Sequence, residues 1–278
     1  MDKHKPLMIL AGDSIIANES YVGEAQDTVS KVEARFKQLR SGTPHEPIFR
    51  EWARTDVTVE SLAQDGATAE DTLDQLNRYH TWLDSHWRDG DVQTVVISCG
   101  GNDALQSFLG HAVDAQTDHV TINRHVFRDE VERFRSEYAQ VLDAAIQLVR
   151  AYGQTDGNHA IAQIYGLAIY NCEFADPELR TLAQLIMAAY NDAIYRECAR
   201  ASLPVTMKVG DSLTCPVQVI DLRDHCMTDE HFTNEIEPSG VGSQAIAEAI
   251  VHAHLFGHAM KTSRPLIHQR SLNGVDVH

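Results

Sequence analysis

An alternation of short apolar runs with long amphipathic stretches constrains this chain more than any other feature. The runs are Leu7–Ala11, Val57–Leu62, Thr94–Ser98, His159–Tyr165 and Val217–Leu222. Between and after them, helical patterns cover Val29–Leu39, Ala69–Trp87, Val126–Ala151, Pro177–Ala201 and Gly240–Met260. Strand followed by helix, repeated, is the pattern of a parallel sheet with crossover helices on both faces. The first run, "LMILA", is apolar throughout, as expected of a strand buried on both sides. No repeat and no low-complexity linker interrupts the pattern. One domain is therefore expected over residues 1–262, followed by a polar, fraying tail at 263–278. The Pro-containing segment Ser41–Asp56 reads as a long connection.

Hydrophobic residues make up 43% of the chain and charged residues 23%, ordinary for a globular protein and against disorder. The 23 basic and 40 acidic residues give a formal charge of −17. Such a surface repels phosphate backbones and anionic lipid, so neither nucleic acid nor a membrane is an expected partner. The opening "MDKHKPLMILAGDS" sets basic residues before an apolar run, but Leu7–Ala11 is too short for a signal-peptide core. Cys99, Cys172, Cys198, Cys215 and Cys226 are odd in number and show no C-x-x-C spacing. A reduced, cytoplasmic chain is expected. Oligomeric state is left open by the sequence.

In open α/β sheets, ligands bind beyond the carboxyl ends of the strands, near a topological switch point. Two such ends carry chemistry here. "MILAGDSI" delivers Ser14 just past the first strand, where Gly12 permits a tight turn. "VVISCGGND" delivers Asn102 after the third, and its side-chain amide can donate to an oxyanion. A third end, "LAQDGATAEDT", sets Gly66 ahead of a helix with an unhindered N–H. The first strand–loop has neither G-x-x-x-x-G-K nor G-x-G-x-x-G, so no phosphate cradle and no cofactor are expected.

Taken together, "GDSI", "DGA" and "GGNDAL" in this order resemble the GDSL-type, or SGNH, hydrolase superfamily. The resemblance spans residues 7 to about 250. It implies a flavodoxin-like three-layer α/β/α sandwich with a five-stranded parallel sheet, and ester-cleaving chemistry on a small-molecule substrate. It also implies Ser14 as nucleophile, with the N–H groups of Ser14 and Gly66 and the Asn102 side chain as oxyanion hole. A literal "GDSL" at Gly210–Leu213 follows "LPVTMKV" and precedes Cys215-Pro216 and a strand. It reads as a turn between extended segments.

The family's last block is usually Asp-x-x-His-Pro ahead of a Gly and the final helix, and His is then the base that Asp orients. Here the block is "NEIEPSGVGSQAIAEAI", so Asn234 stands for the Asp and Glu237 for the His. A subgroup with an I-E-P-S block resembles this version, although it carries an Asp where this chain has His231. A solvated carboxylate near pKa ~4.3 is a feeble base for a serine, but burial raises that value toward neutrality. Three readings follow: Glu237 is the base, with Asn234 orienting it; His225 or His231 is the base, supported by Asp221, Asp224 or Asp229; or hydrolysis is lost. In the last case the domain binds an acylated or carbohydrate ligand without turning it over.

Other features point to bland roles. His254 and His258 stand one helical turn apart, yet no third metal ligand is near, so solvated helix histidines are expected. Asp13 and Asp103 are assigned to loop hydrogen bonding, and Cys99 to a small buried position. Trp52, Trp82 and Trp87 form no stripe, and Asn18 and Tyr21 are placed where they would shape a substrate pocket.

Overall fold

A computed structural model describes residues 6–41, 57–86, 92–111, 123–153, 155–156, 159–160, 162–202 and 217–256. Most of the Ser41–Asp56 connection, Trp52, Trp87, the "GDSL" at Gly210–Leu213, Cys215, His258 and the tail lie outside them.

The strand β1 (Leu7–Gly12) is buried along its whole length, as its unbroken apolar sequence requires. It pairs in parallel with β2 (Thr58–Ser61) on one side and β3 (Val92–Ser98) on the other. β4 (Gln163–Ala168) and β5 (Val217–Asp221) extend the sheet, giving five parallel strands in the order β2-β1-β3-β4-β5. This is the flavodoxin-like order, and its switch point falls between β1 and β3. The fold expected from the sequence is the one observed.

Helices cover both faces. On one, α2 (Thr28–Arg40) packs against α7 (Gly240–Phe256). On the other, α5 (Arg124–Tyr152) packs between α3 (Ala69–His86) and α6 (Pro177–Ser202), and α4 (Gly101–His111) rests against α5 and α6. A four-residue helix, α1 (Glu19–Val22), lies between the first strand and α2. Helix starts are fixed by side chains: Asp27 accepts from Ser30 N, and Asn123 accepts from His125 N and Val126 N.

Two segments depart from the sequence reading. The fourth strand does not run from His159 to Tyr165 but from Gln163 to Ala168. His159–Ala160 instead pairs antiparallel with Thr155–Asp156. The apolar run continues past Tyr165 to Ala168, so the buried strand lies further along the chain than the run alone suggested. The helix α4 has no counterpart among the expected helices. Its opening Gly-Asn-Asp reads as loop chemistry, and its length hardly exceeds three turns.

His254 also differs from expectation. It is buried, with Nδ1 2.7 Å from Thr94 Oγ1 and its ring edge-to-face with Phe36. The position faces the sheet, so the ring is a core group and not a solvated one. Trp82 is exposed and stacks on Tyr79. Cys99, Cys172, Cys198 and Cys226 are free thiols, all buried. Among the described residues no helix is long and apolar enough to cross a membrane.

Candidate active site

The end of β1 is clamped before it delivers its loop. Gly12 has φ +137°, and a Cβ there would lie 1.7 Å from the Ser98 carbonyl oxygen, so only glycine lets β1 run this close to β3. Gln75 of α3 holds both backbone groups of Gly12: Gly12 N donates to Oε1 at 2.8 Å, and Nε2 donates to Gly12 O at 3.0 Å. The chain then turns on Asp13. Its N–H donates to Ser98 O, its own carbonyl accepts from Ile16 N and Ala17 N, and its Oδ1 accepts from Ser98 Oγ at 2.5 Å and Ile15 N at 3.2 Å. These bonds use the N–H groups of Asp13, Ile15, Ile16 and Ala17 and pass over that of Ser14. Burial pushes the Asp13 carboxyl up, while Ser98 and the turn's N–H groups pull it back.

Beside this turn, α4 opens with Gly101 and Asn102. Asn102 Nδ2 donates to Ala67 O at 3.0 Å, which anchors the side chain and leaves its second amide hydrogen free for a ligand. Ala67 ends the turn Gln64–Ala67, closed by Ala67 N to Gln64 O. Gly66 occupies its third position with φ +80°, the conformation a type II turn demands there. Asp103 accepts from Ala69 N at the start of α3, and burial pushes its carboxyl up to about 7. Both Asp13 and Asp103 thus serve loop hydrogen bonding.

Opposite Ser14 stands Glu237. It lies in a small hairpin where Phe232–Thr233 pairs antiparallel with Glu237–Pro238. Ser14 and Glu237 line the same pocket; the Ser14 hydroxyl lowers the carboxyl's pKa, but burial outweighs this and, with Asp13 and Asp65 adding like charge, pushes it up to about 7. Glu237 Oε2 is buried with no well-formed hydrogen bond among the described residues. Ser239 provides the cap of α7, accepting from Val241 N and Gly242 N at 3.2 Å each, so Glu237 is not spent on that task.

Two buried side chains hold the hairpin in place. Asn18 is fully buried; its Nδ2 donates to Pro238 O at 3.2 Å and Ser243 Oγ at 2.7 Å, and its Oδ1 accepts from Thr28 N at 2.9 Å. Tyr170, just past β4, donates to Ile236 O at 2.7 Å. Ser14, Asn102 and Glu237 line one pocket together with apolar residues, among them Leu105, Ile169, Phe174, Ala183, Ile186 and Met187.

No family model matches the chain, and no curated protein matches it. Solved structures do. A lipase from a goat rumen metagenome, Lip_vut3, superposes with a TM-score of 0.59 over 90% of this chain and 97% of its own, at 16% identity. A member of the lipolytic protein G-D-S-L family from Veillonella parvula gives 0.55 over 88% and 96%, at 13% identity. An acetyl xylan esterase, AlAXEase, gives 0.52 over 89% and 98%, at 11% identity. The chain has the SGNH hydrolase fold.

Within this SGNH frame the remaining residues singled out by sequence fall into place unevenly. Gly66 is exposed on the turn whose end anchors Asn102. His231 does not line the pocket; its Nδ1 lies 2.7 Å from Thr228 Oγ1, closing a capping box on the short turn Asp229–His231. His225 is exposed and likewise absent from the pocket wall. Asn234 does not orient Glu237. It is exposed at φ +50°, followed by Glu235 at φ +66°, so its role is to turn the hairpin in a left-handed conformation that Asn tolerates. Asn18 and Tyr21 do not line the pocket either. Asn18 is the clamp described above, and Tyr21 donates to Asp65 Oδ1 at 2.9 Å.

Sequence reading missed Gln75, Ser98 and Tyr170. Gln75 left a signal, since it shares the buried face of α3 with Thr72, Leu76, Tyr79 and Leu83, and a polar side chain there needs a buried partner. Ser98 and Tyr170 leave none, because a strand-end serine and a buried tyrosine are ordinary.

Proposed function

We propose that the chain is a serine ester hydrolase that forms an acyl-enzyme on Ser14, with Glu237 as general base, acting without a cofactor on a small neutral ester in the cytoplasm. The observation that carries this reading is the presence of Ser14 in one pocket with a half-buried carboxyl pushed up to about 7. A base works best when its pKa lies near the working pH. An ordinary carboxylate is too acidic to draw a proton from serine, whereas one destabilised by burial accepts it readily.

The steps follow from the placement of the groups. Ser14 Oγ attacks the ester carbonyl as its proton passes to Glu237. The oxygen becomes negative and is met by the Ser14 N–H and the free Asn102 amide hydrogen; Gly66, expected there from the sequence, does not line the pocket. Protonated Glu237 returns the proton to the departing alkoxide. Water then enters, gives its proton to Glu237 and attacks the acyl-Ser14 carbonyl; the acid is released and Ser14 is reprotonated. No histidine is required. The solved structures that share the fold and are named as a lipase and an acetyl xylan esterase support ester chemistry.

The test is release of p-nitrophenol from an acetyl ester, together with labelling by a fluorophosphonate. Label on Ser14, and loss of both label and turnover in Ser14→Ala, are expected. Label on Ser212, in the "GDSL" of Gly210–Leu213, would displace the site. Absence of both label and turnover would leave a domain that binds its ligand without cleaving it.

A further inference from the structure

Two loops outside the pocket are bonded to each other, and each is anchored to one of the reacting groups. On the base side, α1 packs against the strand Glu237–Pro238. Asn18, the residue before α1, is the buried clamp on Pro238 O, so the short helix and the hairpin form one block. On the other side, the turn Gln64–Ala67 is fixed twice. Gln64 N donates to Gly12 O at 2.9 Å, and Ala67 O accepts from Asn102 Nδ2 at 3.0 Å. A shift of this turn is therefore a shift of the Asn102 amide.

Tyr21 of α1 joins the two blocks. Its hydroxyl donates to Asp65 Oδ1 at 2.9 Å and Oδ2 at 3.0 Å, and Ser20 Oγ donates to Oδ2 at 3.4 Å. Burial, the bond to Asp65 and the charge of Glu237 push the Tyr21 hydroxyl up to about 12, so it stays a donor at neutral pH. A hydrogen bond in contact with solvent adds little to the stability of the fold. What it can fix is a spacing.

We propose that Tyr21 and Asp65 are positioning residues, whose bond ties the base hairpin to the turn holding Asn102 and so sets the spacing between Glu237 and the oxyanion donor. This role rests on Ser14 being the nucleophile. Glu237 and Asn102 then act on one substrate at one moment, the first by taking the Ser14 proton and the second at the carbonyl oxygen. A misplacement of about 1 Å in such an arrangement costs on the order of 10²-fold in rate. The sheet does not supply this spacing by itself, because Glu237 stands on a strand of two residues outside it.

Kinetics with p-nitrophenyl acetate test the tie on the intact chain. Tyr21→Phe removes the bond and keeps the ring, Asp65→Ala removes it from the other end, and Asp65→Asn keeps an oxygen that accepts. Tyr21→Phe and Asp65→Ala are each expected to lower kcat about tenfold, with KM and Tm nearly unchanged. The double variant should lose no more than either alone, since both changes cut the same bond. Asp65→Asn should recover turnover to within about threefold of wild type. Full kcat in Tyr21→Phe, losses that multiply in the double variant, or an Asp65→Asn as slow as Asp65→Ala each overturn the tie. Hydrogen exchange over residues 64–68 and 232–238 separates the tie from the chemistry. Tyr21→Phe should speed exchange in both segments, whether Ser14 or Ala stands at position 14. Exchange that changes in neither or in only one segment overturns the tie even if esters are cleaved. Faster exchange in both, in a protein that cleaves no ester, overturns the positioning role through failure of the Ser14 reading.

Discussion

On the nucleophile side of the pocket, Ser14 and Asn102 follow directly on β1 and β3, adjacent strands in the middle of a five-stranded sheet. On the base side, Glu237 stands on a strand of two residues paired with another of two. One wall inherits its geometry from the core. The other is held by individual bonds: Asn18 to Pro238, Tyr170 to Ile236, and Glu235, whose Oε1 accepts from Ala175 N at 2.7 Å. The difference teaches where precision in the site comes from. In the proposed mechanism, backbone packing positions the attacking atom, whereas buried polar side chains position the group that takes its proton.

Removing the attacking atom is the severest test of the first wall. Ser14→Ala is expected to lower kcat by about 10⁴–10⁶-fold, as loss of a nucleophile does, with the fold intact by circular dichroism. Activity near the wild-type level would mean that this wall carries no nucleophile. Next comes the base. Glu237→Gln keeps the side-chain shape but cannot accept a proton, and kcat/KM is expected to fall about 10³-fold or more. In the wild type, kcat/KM is expected to be flat above about pH 8 and to fall tenfold per pH unit well below 7, because Glu237 is pushed up to about 7 and must be ionised to act. The limb should vanish in Glu237→Gln. A variant that keeps both rate and limb would transfer the base to His225 or His231, against their positions outside the pocket.

The oxyanion donor on the core side is worth less. Asn102→Ala is expected to cost about 10²–10³-fold in kcat with little change in KM, as for a donor aimed at developing charge. A change in KM alone would make Asn102 a substrate anchor. The clamp on the base side is worth less again. Asn18→Ala leaves Pro238 O, Ser243 Oγ and Thr28 N without their partner in a fully buried place. We expect about 1–3 kcal/mol of lost stability and about 10–100-fold in kcat, since a base displaced by about 1 Å acts poorly. The acid limb should shift as well, because Glu237's burial depends on the hairpin's seat. An unmoved limb would make Asn18 a purely structural residue.

The same contrast explains what could be read from the chain. β1 was legible because burial on both faces leaves no polar position between Leu7 and Ala11; Gly12 was legible only as a glycine suited to a tight turn, and its close approach to Ser98 was not. Ser14 and Asn102 were legible because strand ends at the switch point are short in sequence and fixed by the sheet. The hairpin was only half legible. Pro238 and Gly242 fixed the register that put Glu237 opposite Ser14, but Asn234 was misread as an orienting residue. Its left-handed φ is a local turn requirement, and nothing in a one-letter sequence distinguishes an amide that hydrogen-bonds from one that turns the chain. Asn18 and Tyr170 act across long separations in sequence and onto backbone carbonyls, which any residue supplies, so their partners leave no trace.

The smallest expected effect concerns stability, and it weighs the two walls together. Asp103, beside the nucleophile wall, and Glu237, on the base wall, are both pushed up to about 7, in each case chiefly by burial. Between about pH 4 and 7 the folded chain therefore holds protons that the unfolded chain has released. Unfolding stability then falls as pH rises through that window and levels off above it. Asp71 and Asp221, whose carboxyls are held below the usual range, act in the opposite sense only below about pH 4 and leave the window clear. A higher Tm at pH 5 than at pH 8 is therefore expected, and a variant is needed to identify the groups. Asp103→Asn is that variant, because the amide oxygen can still accept from Ala69 N while the buried charge is gone. We expect this variant to raise Tm at pH 8 by a few degrees, to leave it nearly unchanged at pH 5, and to shrink the difference between the two pH values. Glu237→Gln should do the same at the cost of turnover, since the burial that makes this carboxylate a base also makes it a liability once ionised. Equal Tm changes at both pH values would show that neither carboxyl carries a raised pKa, and would remove the physical reason for Glu237 to serve in place of a histidine.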